Sequence, residues 1–185
     1  IRLGIETNLY RDGDGHKRKQ FRDEFGLQED VLAIGIAGRL VPVKQHRLFI
    51  EVAEEILRTH AATKKLRFFI VGDGTEKKML QDMLSTKQLK YTSAADASLE
   101  SVPFVFTSWR TDMDRVFAGL DIVVLTSLNE GTPVSLMEAM AAGKPLPMAL
   151  REQRVWGPRE RLFERVLPRL SEARLNGLLQ SAHQV

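Results

Sequence analysis

The feature that most constrains this 185-residue chain is a regular switch between two hydrophobic periods. Residues 31–37 (Val-Leu-Ala-Ile-Gly-Ile-Ala) form a short apolar run ending at Gly38, as expected of a strand covered on both faces. Next, Leu48, Phe49, Val52 and Ile56 recur at helical spacing, with Glu51, Glu54, Glu55 and Arg58 opposite, which predicts an amphipathic helix. Residues 66–71 read as a second strand closed by Gly72-Asp73-Gly74, and Met79, Leu80, Met83 and Leu84 as a second helical face. Phe104 to Phe106 predicts a third strand, Met113 to Leu120 a short helix, and Ile122 to Leu125 a fourth strand. Residues 85–102 are polar and mixed, and read as a loop with some helix. Pro133 suits the first turn of a helix running to Ala142, with Gly143 as its cap and Lys144-Pro145-Leu146 leading into a fifth strand.

This order predicts an α/β, Rossmann-like parallel sheet with helices on both faces. It assigns residues 1–30 to a connector and lead-in, 31–150 to the sheet domain and 151–185 to a helical tail. Ligands of such sheets bind beyond the carboxyl ends of the strands. The loops after Ala37, Val71, Phe106 and Leu125 are therefore the places to look.

Charge and composition remove several function classes. Residues 1–145 hold 20 basic and 20 acidic side chains, so the net charge of +3 sits in the tail. A neutral body without interleaved aromatics argues against a nucleic-acid partner. With no cysteine, disulfides, thiolate metal sites and a cysteine nucleophile are excluded. The four histidines show no metal-ligand spacing, and no apolar run approaches the roughly 18 residues of a membrane span. The chain opens on Ile1 without a basic-then-apolar leader, and reads as a piece of a longer protein from a disulfide-indifferent compartment.

Two of the loops carry groups suited to a phosphorylated ligand. The first, from Gly38, brings Arg39 and Lys44 to a strand end; an arginine fork and a compact ammonium suit a diphosphate, although two solvated surface cations would read the same way. The fourth combines Glu130, Gly131, Thr132, Pro133 and Val134 with a helix start, where free N–H groups favour an anion. Glu138 lies about a turn and a half into that helix, among Leu136, Met137, Ala139, Met140 and Ala141. An apolar setting of that kind requires a partner for the carboxylate, and a pair of ligand hydroxyls would serve.

Residues 130–138, a Glu-x7-Glu arrangement, together with residues 38–44, resemble the nucleotide-sugar-binding half of the retaining, GT-B-fold "group 1" glycosyltransferases. The runs at 68–74, Trp109-Arg110 and 117–127 follow the same family in the same order, and Leu3-Gly4-Ile5-Glu6 is similar to its interdomain connector. The resemblance covers residues 1–145. It implies transfer of a sugar from a nucleotide-diphosphate sugar, such as a UDP- or GDP-sugar, to an acceptor hydroxyl of a glycan or lipid-linked glycan, as in polysaccharide biosynthesis. Arg39, Lys44 and Glu130 would be catalytic: the two cations hold the diphosphate and steady the leaving nucleotide, and Glu130 contacts the sugar. Gly38 would let the donor approach, the N–H groups of Gly131 to Val134 (through Thr132 and Pro133) would bind sugar and phosphate, and Glu138 the ribose. Trp109 and Arg110 would lie beside the base. No metal or further cofactor is implied. The expected location is the cytoplasm, or its membrane's inner face peripherally.

There are departures from the family pattern. Ser108 stands where a glycine is common, and His46 lies where many relatives have glycine after the lysine. The last 40 residues contain seven Arg and no Lys, Asp, Ile, Thr or Tyr, and read either as a changed frame or as amphipathic helices around Pro168. A nicotinamide-binding Rossmann domain is disfavoured because no G-x-G-x-x-G opens the first helix, and a sugar-nucleotide epimerase because the added acid/base groups are missing. A non-catalytic nucleotide-sugar-binding module stays open, because the chain resembles only one half of a two-domain cleft.

Overall fold

The computed structural model describes residues 5–60, 65–93, 102–130 and 133–144. The expected strand after Lys144, the tail, Leu3-Gly4, Gly131 and Thr132 lie outside the described residues. Five strands form one parallel sheet: β1 (Val31–Ala37), β2 (Lys65–Val71), β3 (Tyr91–Thr92), β4 (Phe104–Ser108) and β5 (Ile122–Val124), in the order β3-β4-β2-β1-β5. The helices are α1 (Thr7–Tyr10), α2 (His16–Glu24), α3 (His46–His60), α4 (Lys77–Thr86), α5 (Met113–Gly119) and α6 (Val134–Ala141), with a 3-10 turn at Pro42–Lys44.

One element corrects the reading of residues 85–102 as loop and helix: β3 is an edge strand within them. With two residues it is too short to show a period. It is held by pairing Tyr91 with Phe104 and by packing the Tyr91 ring edge-on against Phe106 at 5.7 Å.

The central strands bury side chains on both faces, as their largely apolar runs require. Ile34, Ile36, Phe68, Ile70, Phe104 and Phe106 face α3 and α4. Ala33, Ala37, Phe69, Val71, Val105 and Val123 face the other helices. Residues 16–27 are built into this second layer rather than leading up to it. Phe21 and Phe25 of that segment meet Phe69, all ring centroids lying 5.0–5.2 Å apart. Burying each such ring contributes about 1.5–3 kcal/mol. Helix α6 ends in a Schellman arrangement: Gly143, with φ of 80°, donates its N–H to Met140 O, and Lys144 donates to Ala139 O.

A polar cluster ties α2 to β1. Asp121 accepts from the Ala33 N–H (2.8 Å), from Arg18 (2.8 Å) and from Arg22 (3.3 Å). Burial by itself would raise the Asp121 carboxyl, but these donors outweigh it and hold it below its ordinary value. A depressed carboxyl contributes stability that is present above the unfolded-state pKa of about 3.9 and lost as pH falls through the folded value. Urea midpoints measured between pH 5 and pH 3 should therefore fall more steeply in the wild type than in Asp121→Asn.

Candidate functional site

Chain order places β2, β4 and β3 on one side of β1, and β5 on the other. The carboxyl ends of β1 and β5 thus form the switch point where open α/β sheets hold ligands. The loops leaving those two ends are bound to each other. Thr126 Oγ1 donates to the carbonyls of Lys44 (2.8 Å) and Gln45 (3.0 Å), and Leu128 N–H donates to Val43 O at 2.9 Å. Across that seam, Lys44 Nζ lies 2.5 Å from Glu130 Oε1, which also accepts from Ser127 Oγ at 2.6 Å. Two of the three expected catalytic side chains, 86 residues apart, therefore meet. Arg39, the third, is exposed beyond β1 and has no ion-pair partner among the described residues.

The neighbouring loops close the rim. Gly72 N–H donates to Ser108 O, Gly38 N–H to Val71 O, and Leu40 N–H to Asp73 O. Asp73 Oδ2 accepts from Lys77 (2.7 Å) and Ser108 Oγ (2.7 Å), and the pair with Lys77, followed by Ser108 and the Gly74 N–H, lowers its pKa to about 2. Ser108 has a φ of 58°. This left-handed conformation is the reason a glycine suits the position. Asp73 and Ser127 lie in the family-like runs 68–74 and 117–127, but no role could be read for them there, and Lys77, at a helix start, carried no signal at all.

Two further site candidates, Arg110 and Glu138, have partners within the chain. Arg110, expected beside the base, is bound within the chain by Glu24 and by Asp112 (2.7 Å), and its guanidinium lies 6.0 Å from the Phe25 ring centroid, so it braces α2. The pairing with Glu24, more than that with Asp112, raises its pKa. Trp109 beside it is 65% exposed. Glu138 accepts from Tyr10 OH at 2.6 Å, so its partner within the chain is a tyrosine, where a ligand hydroxyl pair had been expected.

The backbone conformation that would favour a glycine after Lys44 falls on Gln45 rather than on His46. Gln45 has a φ of 52° in the turn after Lys44, while His46 opens α3 and is fully buried. Burial, then the nearby Lys44 charge, lowers the His46 pKa to about 4, so the ring is neutral at pH 7. Left-handed backbone costs a side chain about 1 kcal/mol relative to glycine. Gln45→Gly is expected to raise unfolding stability by about that amount in urea titrations.

The family profile of glycosyl transferases group 1 matches residues 17–146, about two thirds of the chain. The chain belongs to the group 1 glycosyl transferases. This group 1 chain is 32% identical over 120 residues to a UDP-Gal:alpha-D-GlcNAc-diphosphoundecaprenol alpha-1,3-galactosyltransferase of Escherichia coli, a match covering 65% of this chain and 28% of that one. It is 27% identical over 160 residues to a D-inositol 3-phosphate glycosyltransferase of Mycobacterium marinum, covering 82% and 31% respectively. Among solved structures, Anabaena HepE in complex with UDP superposes with a TM-score of 0.57 at 26% identity, covering 77% of this chain and 35% of that one. The C-terminal domain of the group 1 protein LpcC of Francisella tularensis shares the fold (TM-score 0.55, 23% identity, 76% and 68% covered). The group 1 chain spans about a third of the length of the curated relatives it matches.

Proposed function

We propose that this chain is the donor-binding part of a retaining glycosyltransferase that moves a sugar from a nucleotide-diphosphate sugar to an acceptor hydroxyl on a glycan or lipid-linked glycan. The observation that carries the reading is the meeting of Lys44 and Glu130 at the β1/β5 switch point, beside the start of α6. Arg39 and Lys44 hold the diphosphate and take up charge as the nucleotide leaves. Glu130 contacts the transferred sugar, Val134 N–H at the start of α6 faces the sugar and distal phosphate, and Glu138 binds the ribose. Trp109 borders the base; Arg110 supports that border from its salt bridges. UDP in the HepE complex supports a uridine nucleotide as the first donor class to try. The intact protein is proposed to act in the cytoplasm or at the inner membrane face.

The 185-residue chain alone should bind UDP or GDP in the high-micromolar to millimolar range, roughly 4–6 kcal/mol, and transfer no sugar. Holding an acceptor in reacting geometry is worth about 7–11 kcal/mol of barrier, and the matched relatives devote some two thirds of their length to other parts. Saturation-transfer NMR with nucleoside diphosphates, run beside a turnover assay, tests both halves of this statement. Absent binding would sink the donor-site reading; sugar transfer by the chain alone would show that it is more than a donor half.

A further inference from the structure

Tyr10 carries no motif signal in the sequence, yet its hydroxyl meets a residue of the proposed site. It sits at the end of α1, 128 residues before Glu138, and its hydroxyl donates to Glu138 Oε1 at 2.6 Å. Tyr10 is 7% exposed and its ring packs against Phe117 with centroids 6.3 Å apart, so it has little freedom to turn. Burial first, and the Glu138 bond second, raise its pKa, which keeps the phenol a donor throughout the neutral range. The other Glu138 oxygen has no partner among the described residues. Both side chains line a cavity of about 280 Å³ between α1 and α6, completed by Ile5, Glu6, Leu9, Val134 and Met137. This is near the lower bound of about 300 Å³ for drug-sized sites, a size suited to one portion of a larger ligand.

From this juxtaposition we infer that Tyr10 is a positioning residue: it pins one oxygen of Glu138 so that the other is presented to the ribose hydroxyls of the donor nucleotide. The inference rests on the donor-site reading of Glu138. A half-buried glutamate on a helix has several rotamers, and a ligand that must select one loses affinity for the others. A short hydrogen bond from a fixed phenol to a carboxylate is strong and directional, and removes that choice before the ligand arrives. Because Tyr10 stands on the segment that enters the domain from its N-terminal side, the ribose contact is tied to the placement of α1 as well as to α6.

The test compares UDP with 2′-deoxy-UDP on the full 185-residue chain, as wild type, Tyr10→Phe and Glu138→Gln. Phenylalanine keeps the packing on Phe117 and removes only the hydroxyl. A hydrogen bond to a charged group supports a ribose-over-deoxyribose preference of about tenfold in the wild type. Tyr10→Phe is expected to reduce it to about two- to threefold, chiefly by weakening UDP, with little change in 2′-deoxy-UDP binding. Equal weakening of both nucleotides would mean that Tyr10 only stabilises the fold, and would overturn the proposal. A preference unchanged in Tyr10→Phe but abolished in Glu138→Gln would overturn it while keeping the ribose role of Glu138. If Glu138→Gln retains the preference, the donor-site assignment of Glu138 fails, and the positioning role falls with it.

Discussion

Gly72→Ala is expected to cost about 4 kcal/mol of stability, at the upper end for a single substitution. A Cβ added there would lie 2.1 Å from the carbonyl oxygen of Gly38, and Gly72 has a φ of 133°. The obstacle is backbone, so no side chain can swing aside; the loops after β1 and β2 would have to separate. That would also break the Gly38-to-Val71 and Leu40-to-Asp73 hydrogen bonds that hold Arg39 at the rim. Urea denaturation should show the loss, and any residual folded protein should bind UDP poorly. Gly13→Ala is the control: a Cβ there meets nothing within 4 Å. Its unfolding free energy should change by no more than about 0.5 kcal/mol.

Lys44→Ala is expected to weaken nucleoside diphosphate binding roughly 10- to 100-fold while changing nucleoside binding less than about twofold. Losing a charge-assisted contact to phosphate is worth about 1.5–3 kcal/mol when desolvated, and Lys44 keeps only a quarter of its side chain exposed. The variant also leaves the Glu130 carboxylate without its cation beside an incoming anion. Glu130→Gln should act in the opposite direction on ground-state binding, holding or raising diphosphate affinity, while lowering sugar transfer by the intact protein. Isothermal titration with uridine, UDP and the two variants separates these effects. Equal loss of uridine and UDP in Lys44→Ala would move that side chain away from the phosphates.

The sheet was legible because β1, β2, β4 and β5 are built mainly from apolar residues covered on both faces, with Arg67 of β2 and the end of β4 at Thr107-Ser108 among the polar exceptions. Their lengths left no room for helix. Strand β3 was not legible: two residues carry no period, and what holds Tyr91 in place is Phe104 and Phe106, which are distant in sequence. The pairing of Lys44 with Glu130 could be suspected from loop position alone, because strand order brings the ends of β1 and β5 together. The partners of Arg110 and Glu138 could not. Glu24 and Tyr10 reach them from segments that, in sequence, read only as connector and lead-in. The exchange of roles between Gln45 and His46 shows the same limit at short range. Which of two adjacent residues takes the left-handed conformation depends on where α3 begins, and that is set by burial of His46.

The closed pair at the switch point has a consequence for what the site ignores. Lys44 is occupied before any ligand arrives, by a carboxylate that cannot diffuse away. A tethered group competes as though it were present at millimolar concentration or above. Chloride, or a single inorganic phosphate, must displace it with one contact and gains little by doing so. A nucleoside diphosphate bound as proposed would bring further contacts at the same moment, enough to offset the displacement. On the proposed donor-site reading, Glu130 would thus act as a built-in competitor, one that lets through large, multiply anchored anions and holds small ones out.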